Sequence, residues 1–231
     1  MSDLGYSKKL SVQPNTKEIS IDRSNNSKIY TVCKRSIDLV ISIIGLIIVS
    51  PLFLFIGFFY LFGENKGPLI FKQNRVGKGG ELFYIYKFRS MIVDADEKLK
   101  ANKVLYQKYL KNNYKLEPEE DPRITKLGRF LRKTSLDEIP QLINVIKGDM
   151  SLVGPRPVVE EELLEYGERK NEFLSVKPGI TGYWQVSGRS NVGYPERVNL
   201  ELYYVNNQSL LFDLYIFLKT IFMVILKKGA Y

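Results

Sequence analysis

The chain contains no histidine. Acid–base or metal chemistry near neutral pH therefore falls to carboxylates, lysine, tyrosine or the one cysteine, and imidazole-centred mechanisms are excluded. That cysteine, Cys33, rules out an internal disulfide and fits a reducing compartment. It borders an apolar stretch, where a thiol serves as a small packing residue. No cleavable secretory signal is recognisable, because residues 1–29 are polar and the apolar stretch starts too far into the chain. The glycines of Gly77-x-Gly79-Gly80 lack the strand–turn–helix setting of a dinucleotide fingerprint and read as a hairpin turn. Internal repeats and a second domain are also missing.

What is present is a surplus of positive charge. The 231 residues carry 34 basic and 25 acidic side chains, a formal net charge of +9. Such a chain suits an anionic partner: lipid phosphates, a nucleotide or a nucleic acid. Its length supports one sizeable domain plus an appendage.

The appendage is apolar. Residues 39–62 are interrupted only by Ser42, Gly45, Ser50, Pro51, Gly57 and Tyr60. As a straight helix they would cover about 36 Å at about 1.5 Å per residue, enough to cross a hydrocarbon core of about 30 Å. Pro51 falls at the midpoint, where it cannot bond the carbonyl of Ile47, so a kink is expected. Ser50 can return a hydrogen bond to a freed carbonyl. Basic residues flank both ends: Lys28, Lys34 and Arg35 before, Lys66, Lys72, Arg75 and Lys78 after. The positive-inside rule then asks for both ends on the cytoplasmic face. A kinked span and a hairpin dipping into one leaflet both remain open on these residues.

Around this segment, residues 1–29 read as a flexible polar leader. Residues 68–76 and 81–88 form a β-hairpin pattern, and residues 91–113 a charged helix with Leu99, Val104, Leu105, Tyr109 and Leu110 as its apolar stripe. An acidic, proline-containing loop follows at residues 117–122. Helices are expected from near Asp137 to Lys147, stopped by Gly148, and over residues 158–169. Lys177-Pro178-Gly179-Ile180-Thr181-Gly182 and Ser187-Gly188-Arg189-Ser190 read as loops. The apolar run 210–226, broken by Asp213 and Lys219 and closed by Lys227-Lys228, fits an amphipathic interfacial helix or a core helix. Trp184 and Tyr183 suit stacking on a base or sugar, or plain aromatic packing.

The candidate chemistry lies at Asp137-Glu138. Pro140 fits a helical first turn, which sets both carboxylates at a helix start. Ser135-x-x-Glu138 also matches a capping box, a purely stabilising role. Arg129, Arg132 and Lys133 lie upstream, Arg156 lies downstream between Pro155 and Pro157, and Lys87 and Arg89 close the hairpin. Guanidinium and ammonium groups gathered there can bind a diphosphate and neutralise developing charge. A carboxylate attacking phosphorus would form an acyl phosphate, and an adjacent carboxylate suits Mg²⁺.

The ordered set of motifs resembles the small monotopic phosphoglycosyl transferases, the bacterial sugar transferase family. Lys34-Arg35-x-x-Asp38 opens the membrane segment and Ser50-Pro51 breaks it. Pro68-Leu69-Ile70-Phe71 runs to Arg75-Val76-Gly77 and Lys87-Phe88-Arg89-Ser90-Met91. Asp121-Pro122-Arg123-Ile124-Thr125, Ser135-Leu136-Asp137-Glu138, Gly154-Pro155-Arg156-Pro157 and Lys177-Pro178-Gly179 follow in order. The tail, residues 182–190 with Gly229-Ala230-Tyr231, is similar to catalytic domains of polyprenyl-phosphate hexose-1-phosphate transferases. The likeness covers about residues 30–231 and does not extend to that subgroup's extra N-terminal domains, which leaves regulation by a partner open.

The resemblance implies a helix-rich α+β fold on the cytoplasmic face of a bacterial membrane. Its parts would be the leader at 1–29, a re-entrant helix hairpin at 30–66 broken at Ser50-Pro51, and a catalytic domain at 67–231 with a C-terminal interfacial helix. It also implies the reaction: Asp137 attacks the sugar-proximal phosphate of a UDP-sugar, UMP leaves, and undecaprenyl phosphate takes the phosphosugar from the aspartate. Glu138 would orient Mg²⁺, held with Asp137, or assist proton handling. Arg156, Arg132, Lys87 and Arg89 would bind substrate phosphate, and Pro155 and Pro157 would line the nucleotide pocket. Implied partners are the UDP-sugar, undecaprenyl phosphate and membrane lipids, with no nucleic acid. The tail leans toward glucose or galactose over an N-acetylated sugar, and a homo-oligomer is left open. Rival readings are a membrane-tethered basic binding protein and a nucleotide-sugar hydrolase.

Overall fold

The computed structural model describes residues 26–111, 116, 120–188 and 191–226. Residues 1–25 of the expected leader, residues 112–115, the first half of the acidic loop (117–119), Arg189-Ser190 and the basic tail from Lys227 lie outside the described residues.

Helix α1 spans Asn26–Phe59, so it begins inside the stretch expected to be leader. It is long and apolar enough to cross a membrane. It is drawn as one helical element with Pro51 inside it, where two arms were expected. The Ser50 hydroxyl donates to the Ile47 carbonyl at 2.8 Å, the very group that Pro51 leaves without its helical donor. Polar residues near the N-terminal end fasten α1 to the body. Lys34 meets Asp213 at 2.8 Å, Arg35 donates to the carbonyls of Val145 and Ile146, and the Leu152 amide donates to Asp38. The other end is fastened by apolar contact: Ile56 and Tyr60 are buried with Phe88 and Leu131. Between these anchors Ile47, Ile48, Leu54 and Phe55 are exposed.

The hairpin forms as its sequence pattern requires. Strands β1 (Ile70–Val76) and β2 (Leu82–Phe88) pair antiparallel, with Phe71 opposite Lys87. The turn between them places Gly79 at φ 73°, a left-handed conformation that a side chain would strain. The charged helix expected over 91–113 is instead two short pieces, α2 (Ala95–Ala101) and α3 (Lys103–Lys111), interrupted at Asn102. Leu99 is buried but Val104 is 79% exposed, so the expected stripe does not close on the core.

Helix α4 (Lys126–Lys133) starts at Thr125, whose hydroxyl accepts the Gly128 amide, and leads to a 3₁₀ turn at Leu136–Glu138. Helix α5 (Gln141–Lys147) is entered through Pro140 and ends at Gly148, left-handed at φ 93°. The fully buried Asn144 ties α5 to the hairpin, donating to the Tyr84 carbonyl at 2.7 Å and accepting the Tyr86 amide at 3.0 Å. That clasp fixes the acidic turn relative to the end of β2.

The second half departs further from expectation. The stretch read as a loop at 177–182 holds β4 (Gly179–Thr181), parallel to β3 (Ser151–Val153). Their approach is backbone to backbone: a Cβ on Gly179 would lie 2.1 Å from the Gly154 nitrogen. The helix expected over 158–169 is a 3₁₀ segment at Glu162–Arg169 followed by α6 (Lys170–Phe173). Two further helices, α7 (Tyr183–Ser187) and α8 (Glu196–Asn206), precede α9 (Leu210–Ile225). Ile216 of α9 is fully buried against the β3–β4 core, whereas Leu211, Leu214, Leu218 and Phe222 are exposed. Helix α9 is therefore a core helix on one face and an uncovered apolar surface on the other.

Candidate active site

Asp137 and Glu138 sit on the 3₁₀ turn ahead of α5. Ser135 adopts a left-handed conformation, φ 56°, and its side chain makes no capping bond. The capping-box reading is thereby overturned: Glu138 faces basic side chains. Its Oε1 lies 2.7 Å from Lys87 Nζ, off β2, and 3.6 Å from Arg156 Nη1. Arg132 of α4 is oriented by donating from Nε to the Ser90 hydroxyl at 2.8 Å. Three chain segments far apart in sequence thus deliver cations to one carboxylate pair.

The electrostatics single out Asp137. Burial and the neighbouring charge of Glu138 push its carboxyl up to about 6, against the pull of Lys87 and Arg132. A carboxylate so placed is still ionised at neutral pH, yet more basic than a surface aspartate. Asp137 is also close enough to Tyr60 for its charge to act on that phenol. The acidic pair therefore stands beside the foot of the apolar helix α1.

Of the remaining expected residues, Arg89 is a correction. Its guanidinium is buried and donates to the carbonyls of Pro68, Met91 and Asn65, while it stacks over the Tyr60 ring at 5.1 Å. It clamps the chain where α1 passes into the hairpin, and those bonds engage Nε and both terminal nitrogens that a phosphate would need. Arg129 and Lys133 are exposed on α4. Pro155 and Pro157 are buried, so they brace the segment carrying Arg156, whose side chain is 34% exposed. Tyr183 packs against Tyr203 and Phe212 at ring separations of 5.3 and 5.2 Å. Trp184 stacks on Arg197 and donates to the Val192 carbonyl. Both are structural aromatics.

Sequence reasoning passed over the network behind Arg156. Arg75, Glu162, Arg197 and Glu201 gather there with Tyr166 and Tyr194. The one available signal was the Arg197/Glu201 pair at helical i,i+4 spacing, which by itself marks only a helix face.

Among the described residues no cluster of three or more carboxylate, cysteine or histidine side chains is arranged for a metal. Two adjacent carboxylates nevertheless fit Mg²⁺, which is commonly held by one or two carboxylates plus substrate phosphates.

The family model described as "Bacterial sugar transferase" matches residues 29–227. The chain belongs to the bacterial sugar transferase family. It is 49% identical over 201 residues to the undecaprenyl-phosphate galactose phosphotransferase of Salmonella typhimurium, covering 86% of this chain and 41% of that protein. It is 45% identical over 204 residues to the exopolysaccharide production protein ExoY of Sinorhizobium fredii, covering 87% of this chain and 88% of that one. A UDP-glucose:undecaprenyl-phosphate glucose-1-phosphate transferase of Escherichia coli is 36% identical over 206 residues, with 86% and 41% covered. This sugar transferase thus spans less than half the length of the Salmonella and Escherichia relatives.

Proposed function

We propose that this protein transfers glucose-1-phosphate or galactose-1-phosphate from a UDP-sugar to undecaprenyl phosphate, the initiating step of exopolysaccharide or capsule synthesis. The relatives' names supply the substrate class. The observation that carries the chemistry is a partly buried carboxyl with a raised pKa, Asp137, beside Lys87, Arg132 and the Arg156–Glu138 pair.

In the first step an ionised Asp137 oxygen attacks the sugar-proximal phosphorus. The bond from that phosphorus to the UMP oxygen breaks, and UMP departs with the electron pair. In the second, an oxygen of undecaprenyl phosphate attacks the same phosphorus and restores the free carboxylate. Neither step requires a proton at the nucleophile, which suits a site without histidine. Lys87, Arg132 and Arg156 neutralise charge gathering on the phosphoryl oxygens. Glu138 spaces and orients those cations. Mg²⁺ held by Asp137 and Glu138 would add charge neutralisation on the diphosphate.

Residues 30–66 are proposed to enter and leave the bilayer from the cytoplasmic face. In support, residues near both ends of α1 are fastened to the same folded body, which a full crossing would separate by about 30 Å of hydrocarbon. A cysteine placed at position 1 or 66 should resist labelling from outside intact cells; labelling of either would contradict this topology.

The reaction is tested with detergent-purified protein, Mg²⁺, undecaprenyl phosphate and a panel of UDP-hexoses and UDP-N-acetylhexosamines. Lipid-dependent UMP release with UDP-glucose or UDP-galactose is expected, with a phosphohexose adduct on the Asp137 peptide when lipid is withheld. Sustained UMP release without lipid would instead make the protein a hydrolase. A preference for N-acetylated donors would overturn the hexose assignment alone.

A further inference from the structure

Pro155 and Pro157 have no backbone N–H, so the amide of Arg156 is the only main-chain donor in that tripeptide. It is given to Glu201 Oε1, on α8, at 3.3 Å. Glu201 is 1% exposed, and its carboxylate also takes Arg197 Nε at 3.3 Å and the Tyr166 hydroxyl. Arg197 is in turn fixed by Glu162 at 3.0 Å and by the rings of Trp184 and Tyr194 at 4.4 and 4.9 Å. Three residues further along the same helix, the Tyr204 hydroxyl donates to the Val153 carbonyl at 3.1 Å. From the opposite side Arg75 donates to the Pro157 carbonyl. Behind this segment Glu201, Arg197, Tyr166 and Tyr204 are buried, whereas the Arg156 side chain is partly exposed and lies 3.6 Å from Glu138.

We infer that Glu201 is a positioning residue for the transfer reaction: it holds the Arg156 backbone so that the guanidinium meets a phosphate of the nucleotide-sugar. The inference rests on the reading above, in which Arg156 contacts that phosphate. A buried charge is a poor device for stability alone, since an apolar side chain of similar volume often serves as well or better. What a carboxylate adds is directional acceptance of one specific N–H, which orients the arginine beyond it.

The test uses the full chain in detergent, with Glu201→Gln and Glu201→Ala. Hydrogen exchange of the peptide spanning 155–157 reads the Arg156 amide alone. Losing the acceptor should speed that exchange about tenfold in the alanine variant, and a weaker neutral acceptor about threefold in the glutamine variant. KM for the UDP-sugar should rise in the same order, with kcat changing less. In an Arg156→Ala background the Glu201 substitutions should have no further effect, whereas a merely structural role would repeat its full loss there. If Glu201→Ala does not fold, Glu201→Gln is read alone against the same marks. Unchanged exchange, or undiminished loss in the Arg156→Ala background, overturns the inference. Absence of any Asp137 adduct in wild type would instead reject the proposed reaction and leave the exchange result standing.

Discussion

Replacing Asp137 with asparagine should abolish turnover and at the same time make the protein more stable. The two effects share one cause. A carboxyl raised from 3.8 to about 6 by burial and by Glu138 is disfavoured in its ionised form in the folded state. Two pKa units correspond to about 3 kcal/mol. Asparagine mimics the neutral acid in shape, so at about pH 8 it removes most of that cost, and a gain of about 1–3 kcal/mol is expected. For a chain of this length each kcal/mol moves Tm by about 2–4 °C. Unfolding should be followed in EDTA, so that no divalent cation offsets the charge. The sign follows from the raised folded-state pKa: wild type bears the penalty fully above about pH 6 and sheds it toward pH 4, so the advantage of the variant must shrink on acidification. Activity should fall by a factor on the order of 10⁴ or more, as loss of a covalent nucleophile does elsewhere. That equals about 5 kcal/mol or more of activation free energy. An asparagine variant that is no more stable than wild type at pH 8 would refute the electrostatic reasoning. One that still accumulates a phosphohexose adduct would refute the assignment of the nucleophile.

Three other outcomes follow from packing and charge. Asn144→Ala leaves the Tyr86 amide and the Tyr84 carbonyl without their buried partner; a loss of about 2–4 kcal/mol is expected in denaturant unfolding, and a loss below the error of the method would contradict the clasp. Gly179→Ala should give aggregated or misfolded protein on size-exclusion chromatography, because its Cβ would sit 2.1 Å from the Gly154 nitrogen, and normal elution with normal activity would reject that close approach. Burial alone would raise the Asp121 carboxyl, but its paired side-chain bonds with Arg123, both at 2.8 Å, outweigh burial and hold it below the usual range. Its stabilisation is then complete above about pH 4 and lost as pH falls through the lower folded-state value. Asp121→Asn should be destabilised at neutral pH and show a flatter acid limb in thermal scans, and an unaltered acid limb would count against the pairing.

The legible and illegible parts divide along a physical line. Several features that depend on neighbours in the chain were legible in the sequence. The β1–β2 hairpin follows from two β-rich runs around glycines. The stop at Gly148 follows from its left-handed conformation, and the Ser50–Ile47 bond from the position of Pro51. The acidic pair and most of its cations were also visible as residue types, although not their mutual distances. Features that depend on distant segments were not visible. Arg89 looked like a phosphate ligand until the chain's path brought three carbonyls around it. Ser135 and Glu138 looked like a capping box until Lys87 and Arg156 arrived from elsewhere. Val104 satisfied a helical stripe that had no core to meet.

Composition and short-range pattern alone determined that the chain is basic, carries one long apolar segment, and must do without histidine. Only the tertiary structure decided the electrostatic setting of the acidic pair. Burial and the closeness of Glu138, Lys87 and Arg132 set the Asp137 pKa, and those residues are separated by up to 51 positions (from 87 to 138). Charge–charge interaction and desolvation depend on distance through space, and no spacing along the chain encodes that distance.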